Sequence, residues 1–120
     1  GKNYGWPVIT YGINYSGTSI TDKRKMPGME QPLYYWVPSI APCGMAFSTS
    51  GVYKKWKGDL FIGSMKFNYL ERLVIKKRKV IKREKILKDV GGKLRNVVEG
   101  PDGYLYVSVE GKGIFKLIKN

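Results

Sequence analysis

The chain has 120 residues, enough for one small domain, and 42% of them are apolar. Its 22 basic and nine acidic residues give a net charge of +13, which would attract a polyanion such as nucleic acid, acidic polysaccharide or a membrane surface. No apolar run is long enough to cross a bilayer and residues 1–7 lack signal-peptide features, so we predict neither a membrane span nor a signal peptide here.

Residues 1–43 are predicted to be a loop region with short strands. Glycine, tyrosine, asparagine, serine and proline dominate its first 31 residues, which show no helical period. Tyr4, Trp6, Tyr11 and Tyr15 are too many large aromatic side chains for a disordered tether, which would leave them in water. We therefore expect ordered loops.

Residues 44–90 are predicted to form one four-stranded antiparallel blade. Turn residues or charges separate its short extended runs, which are Met45–Phe47, Asp59–Ser64, Tyr69–Ile75 and Val80–Leu87. A helix is the alternative for residues 80–90, because apolar residues at 80, 81, 86, 87 and 90 would share one helical face. β-branched Val80 and Ile81 and the missing N-cap favour the strand.

Residues 91–120 are predicted to form an incomplete last blade of three strands. The segment Gly58–Ile62 matches Gly103–Val107, and Leu60 and Leu105 are 45 residues apart. Propeller blades repeat with a period of about 40–50 residues. The fold class expected from this spacing is all-β, built of antiparallel β-propeller blades.

Few residues of the chain are suited to catalysis. Histidine is absent, which excludes Ser-His and Cys-His pairs, histidine-based zinc sites and a histidine base within these residues. The acidic residues do not cluster with metal-ligand spacing, and Cys43 has no neighbouring base, so it is expected to be a buried or neutral thiol. We predict no catalytic residue and no metal ligand in this chain.

The positive charge is local. Residues 76–88 carry eight basic residues and one acid, Glu84, whereas residues 27–52 carry no lysine or arginine. This run could bind a polyanion, although a basic hairpin turn is more often simply solvated. We therefore expect no specific nucleic-acid partner.

Several motifs in order resemble the C-terminal part of the glucose/sorbosone dehydrogenase family. They are GKNYGWP (1–7), YGINYSG (11–17), EQP (30–32), PSIAP (38–42), GMAF (44–47) and RNVVEGPDGYLY (95–106). The resemblance implies about two blades of a six-bladed β-propeller that uses pyrroloquinoline quinone (PQQ) and calcium to oxidise sugars. It also implies a periplasmic or extracellular location and a catalytic histidine on an earlier blade.

The resemblance further implies cofactor-binding residues. Lys66 looks like the family's PQQ-binding lysine, and Arg95 looks like the second arginine of its Arg-x-Arg pair, so the two are expected to lie close together. Lys93 stands at the first position of that pair and Asn96 where aspartate is usual. Lysine keeps the charge but loses the two-pronged geometry of arginine, so carboxylate binding is expected to be weaker at Lys93.

The substrate-binding residues implied by the resemblance are Trp36, Tyr34 and Ser39, in a loop that borders the family's cofactor and sugar site. An aromatic face suits the apolar side of a sugar ring. Together these features predict a C-terminal fragment of a PQQ-dependent sugar dehydrogenase that oxidises an aldose to its lactone. The fragment requires the rest of its own propeller and is expected to be inactive alone.

One alternative function stays open at this point. A non-catalytic propeller relative could bind polyanions through its basic face, since Lys93 and Asn96 replace the usual pair and basic residues are in excess.

Overall fold

The computed structural model describes residues 1–118, which fall into two compact units, Gly1–Ser39 and the chain from Ile40 onward. The first unit is built from turns and loops, with a single antiparallel bridge between Ile13 and Ser19 among its residues. Stacking of the Tyr11 and Tyr35 rings, whose centroids are 3.7 Å apart, ties distant parts of this unit together. Tyr4, Trp6 and Tyr15 are nevertheless exposed, so the expected order of these loops stays a prediction.

Antiparallel strands make up the second unit, so the predicted all-β class is confirmed. Within the described residues the strands are β1 (Pro42–Phe47), β2 (Leu60–Ser64), β3 (Tyr69–Lys76), β4 (Lys79–Ile86), β5 (Leu94–Glu99), β6 (Leu105–Val109) and β7 (Gly113–Lys116), with a short 3₁₀ helix at Lys54–Trp56. They form one sheet in the order β1-β2-β3-β4 and a second in the order β5-β6-β7.

Strand β4 decides between the two interpretations of residues 80–90. Lys79–Ile86 pairs with β3 in antiparallel register, so the helical alternative is wrong. Strand β1 begins at Pro42, earlier than the predicted Met45. Gly44, at φ 66°, lies where the register of β1 with β2 shifts, so the strand continues through a β-bulge.

The two sheets share one hydrophobic core. Phe61 and Leu70 of the first sheet pack in the same buried cluster as Leu94, Val97 and Leu105 of the second. The buried positions of β6 alternate with half-buried ones, as expected for a strand with one face in the core. This packing fixes the start of β5 beside β1 and β2, where the candidate site lies.

Charged side chains also tie β2, β3 and β4 together. Arg72 donates to Asp59 Oδ2 at 2.7 Å and to Glu84 Oε2 at 2.6 Å, and Arg83 pairs with the fully buried Glu71. The Arg72 guanidinium also lies 5.7 Å from the centroid of the Trp56 ring. Glu84 is therefore already paired.

The turn between β3 and β4 holds two basic residues in an unfavourable conformation. Lys77 (φ 48°) and Arg78 (φ 60°) are both left-handed, as a two-residue type I′ hairpin turn requires, and the facing pair Lys76–Lys79 sets like charges opposite each other. Asn-Gly is the preferred sequence for such a turn. The sequence thus keeps four consecutive cations where other residues would be more stable.

We expect the double substitution Lys77→Asn/Arg78→Gly to raise the free energy of unfolding by about 1 kcal/mol, because it relieves left-handed strain and charge repulsion. Urea denaturation followed by circular dichroism measures the change. Lys77→Gln/Arg78→Gln is the matched control, since it removes the same charges but keeps a β-carbon at both positions. Equal stability of the two variants would refute the contribution of the turn conformation.

The turn between β5 and β6 carries an ion pair in which the pKa of the acid, Asp102, is lowered. Lys116 Nζ lies 2.7 Å from Asp102 Oδ2, and the Tyr106 hydroxyl donates to the same oxygen at 2.7 Å. First the Lys116 contact and then the Tyr106 hydrogen bond lower the pKa of Asp102 to about 2.

Asp102 is accordingly expected to contribute to stability at neutral pH. Its pKa is lower in the folded chain than its ordinary value of 3.8, so the contribution is complete above that pH and is lost as the pH falls toward about 2. Lys116→Met is expected to raise the pKa of Asp102, measured by NMR titration of the side-chain carboxyl carbon. An unchanged pKa in that variant would assign the shift to other groups.

Candidate functional site

Arg95 lies at a β-bulge at the start of the second sheet. Leu94 pairs with Val109 and Asn96 pairs with Ser108, so Arg95 is the extra residue between them. A bulge interrupts the ladder and redirects the side chain it carries, and bulges are common beside active sites. The Arg95 side chain is 48% exposed, whereas Leu94 next to it is fully buried.

Two contacts hold the Arg95 guanidinium. Its Nη2 lies 3.0 Å from Glu110 Oε2, and its Nη1 donates to the Met65 sulfur at 3.1 Å. Lys93 Nζ lies 3.9 Å from the same Glu110 oxygen. Two cations therefore converge on one carboxylate, so Lys93, Arg95 and Glu110 together form a cationic corner with a net positive charge.

Lys66 lies in the segment that follows β2. Its backbone N–H donates to the Ile40 carbonyl at 3.2 Å, and its exposed ammonium lies 5.3 Å from the centroid of the Phe67 ring. Since Met65 touches Arg95, the guanidinium lies beside the residue that precedes Lys66. The expected convergence of the Lys66 and Arg95 side chains stays a prediction.

Close packing of the β1 backbone against β5 fixes the position of the Arg95 bulge. A β-carbon on Gly44 would come within 2.3 Å of Asn96 Oδ1 and 2.8 Å of the Asn96 Cα, so only glycine lets β1 pack this tightly on β5. Asn96 Oδ1 in turn accepts the Val97 N–H at 2.9 Å. The Cys43 thiol donates to the Arg95 carbonyl. It is thus a structural contact of the bulge.

The predicted substrate-binding residues all belong to the first unit. Tyr34 and Trp36 are half-buried and meet edge to face, with ring centroids 5.0 Å apart, while Ser39 is exposed. Their role in sugar binding stays a prediction.

Sequence reasoning missed Glu110 and Met65. In an antiparallel pair the end of β6 lies beside the start of β5, and the Glu110 N–H indeed donates to the Lys93 carbonyl at 2.9 Å. That register, applied to the predicted strands, would have placed an acid next to Lys93 and Arg95. Met65 gave no comparable signal, because an arginine–thioether contact has no characteristic spacing.

The predicted cofactor-binding residues are suited to anionic groups. Lys93, Arg95 and Lys66 are exposed cations, suited to carboxylates or electron-rich carbonyl oxygens. Within residues 1–118 no three histidine, cysteine, aspartate or glutamate side chains are grouped so that they could hold a metal ion. These cations are the predicted site residues that could bind an anionic group.

Comparison with known proteins decides the family. The family model described as glucose/sorbosone dehydrogenase matches residues 1–118. The chain belongs to this family. Aldose sugar dehydrogenase YliI of Escherichia coli is 46% identical over 109 residues, which cover 89% of this chain and 29% of that protein.

Solved structures of glucose/sorbosone dehydrogenase relatives share the fold. A crystal structure of glucose dehydrogenase has a TM-score of 0.91 and 42% identity, covering all of this chain and 36% of that one. The PQQ-bound aldose sugar dehydrogenase of Streptomyces coelicolor has a TM-score of 0.60 at 23% identity, covering 94% of this chain and 30% of that one. The chain thus spans about a third of these relatives, and its sheets match their blades. Nowhere in the described part is a helix long and apolar enough to cross a bilayer.

Proposed function

We propose that the intact protein containing this chain is a PQQ-dependent dehydrogenase that oxidises an aldose to its lactone. Membership of the family and the sugar dehydrogenases among its relatives support this activity. PQQ as cofactor is supported by one relative of the same fold that binds it. A periplasmic or extracellular location is part of the proposal.

The cationic corner carries the cofactor part of the proposal. Arg95 donates through two different nitrogens, to Glu110 and to Met65, so a cofactor carboxylate would replace or share these partners. Lys93 adds a point charge near the same Glu110 oxygen. Lys66 would donate to a quinone oxygen or a second carboxylate. When bound, PQQ supplies the acceptor for the hydride that leaves the sugar.

The substrate part rests on the first unit. Trp36 and Tyr34 offer aromatic faces to the apolar side of a sugar ring, and the exposed Ser39 hydroxyl can hydrogen-bond a sugar hydroxyl. With no histidine in the sequence, the base that takes the hydroxyl proton belongs to another part of the propeller. We assign no calcium ligand to this chain.

Residues 1–120 alone are expected to show no aldose oxidation, because hydride transfer requires sugar and quinone to be held together by parts of the propeller outside this chain. Dye-linked dehydrogenase activity with PQQ, calcium and a panel of aldoses measures this, beside the intact protein. Turnover by the intact protein alone supports the proposal. Turnover by the isolated chain would place a catalytic base among its own residues, and an inactive intact protein would overturn the proposed function.

A further inference from the structure

The β3–β4 hairpin ends in a cationic tip, which we define as Lys76, Lys77, Arg78, Lys79 and Lys82. All five side chains are exposed. The neighbouring acid does not neutralise them, because Glu84 is bonded to Arg72 at 2.6 Å. Arg83 and Lys85 are engaged elsewhere, with Glu71 and with the Tyr69 ring, and are not counted in the tip.

Two local features of the tip oppose the stability of the turn. The left-handed Lys77 and Arg78 occupy positions where asparagine and glycine are preferred, and Lys76 faces Lys79 across the ladder. Residues that break several local preferences together are expected at functional sites. Folding alone therefore does not account for these cations, whereas binding of an anionic partner would.

An apolar side chain lies next to the cations. Ile75 pairs with Val80 and Val74 pairs with Lys82, so Ile81 is the extra residue of a bulge in β4 and is 56% exposed. Cations beside an exposed apolar side chain are typical of surfaces that lie on a bilayer, where the charges meet lipid phosphates and the apolar group enters the interface.

Nucleic acid fits this tip less well. Single-stranded nucleic acid is held by aromatic side chains on which bases stack, and residues 74–103 contain no phenylalanine, tyrosine or tryptophan. Four of the five tip residues are lysines, which act as point charges without the two-pronged geometry that reads a base edge.

We propose that the cationic tip docks the protein on an anionic phospholipid surface, with Ile81 entering the interface. Each basic side chain near such a surface strengthens binding about fivefold at moderate salt. Binding is expected to weaken as ionic strength rises, because the charges are solvent-exposed. The proposal is independent of sugar oxidation.

Vesicle co-sedimentation of the intact protein tests the electrostatic part. We expect binding to phosphatidylcholine vesicles that contain phosphatidylglycerol and little binding to pure phosphatidylcholine. Lys77→Asn/Arg78→Gly is expected to lose about twentyfold in affinity, although it stabilises the turn, so unfolding would not explain the loss. The control Lys23→Gln/Lys25→Gln, which lowers the net charge of +13 by the same two units, should bind as the wild type does.

Ile81→Gln tests the apolar part. It is expected to weaken vesicle binding about fivefold with the charge unchanged. Equal losses in the hairpin variant and its control would overturn the proposal, since charge alone would then explain binding. It would also be overturned by equal binding to neutral vesicles, or by tighter binding to duplex DNA or heparin that Ile81→Gln leaves unchanged.

Discussion

Arg95→Ala is expected to weaken PQQ binding by the intact protein about thirtyfold, because a charge-assisted hydrogen bond contributes about 2 kcal/mol. The side chain is half exposed and lies at a bulge outside the core, so the melting temperature should change little. Titration of the apoprotein with PQQ, followed by fluorescence quenching, measures the affinity, and dye-linked activity should fall in parallel when PQQ is limiting.

Two further variants separate charge from geometry at this position. Arg95→Lys keeps the charge but not the planar fork, so its affinity is expected to lie between the wild type and Arg95→Ala. Lys112→Ala removes one cation near Glu110 in the sequence and should leave PQQ binding unchanged. Wild-type affinity in Arg95→Ala would remove this residue from the proposed site, whatever the activity of the protein.

Gly44→Ala is expected to destabilise the protein by about 3 kcal/mol. The new methyl group would meet backbone atoms of Asn96 and Val97 at 2.8 Å, and alanine at φ 66° is strained. Each of these two effects alone costs about 1–2 kcal/mol. β1 would have to move away from β5, so PQQ affinity should fall as well through displacement of the Arg95 bulge. Chemical denaturation measures the first effect and PQQ titration the second.

Glycines elsewhere in the chain provide matched controls. Gly58, at φ 85°, has open space around its α-carbon, so Gly58→Ala should cost only the conformational strain of about 1 kcal/mol. Gly51 has neither a positive φ nor a near neighbour, and Gly51→Ala should leave stability nearly unchanged. If Gly44→Ala cost no more than Gly58→Ala, the close approach of β1 to β5 would be refuted.

The sheets were predictable because strand-forming residue types and the repeat period are both visible in the sequence. β-Branched Val80 and Ile81 and the missing N-cap indicated β4, and the 45-residue spacing of Leu60 and Leu105 indicated the second sheet. The early start of β1 was not predictable, since proline and glycine are unfavourable in strands and only pairing with β2 makes the bulge favourable. The residue types of a segment do not show that pairing with another strand will stabilise an otherwise unfavourable conformation.

The candidate site was predictable only in part. Arg95, Lys93 and Lys66 came from a family resemblance, because exposed cations have no periodicity that separates a ligand from solvated charge. Glu110 depends on strand register and Met65 on the contact between two segments far apart in the chain. Such pairings become visible only once both sheets are in place.

The Tyr53 side chain, from the segment between β1 and β2, bonds to the second sheet through its hydroxyl. It donates to the Leu117 carbonyl and accepts the Leu105 N–H at 3.0 Å, while its ring packs in the core cluster that both sheets share. Desolvation in this position raises the pKa of the hydroxyl. Neither sheet can open without exposing the apolar surface of the other, so the strands from β1 to β7 should form one foldon. Their core amides, such as those of Phe61 and Val107, should exchange with solvent deuterium at the same opening free energy.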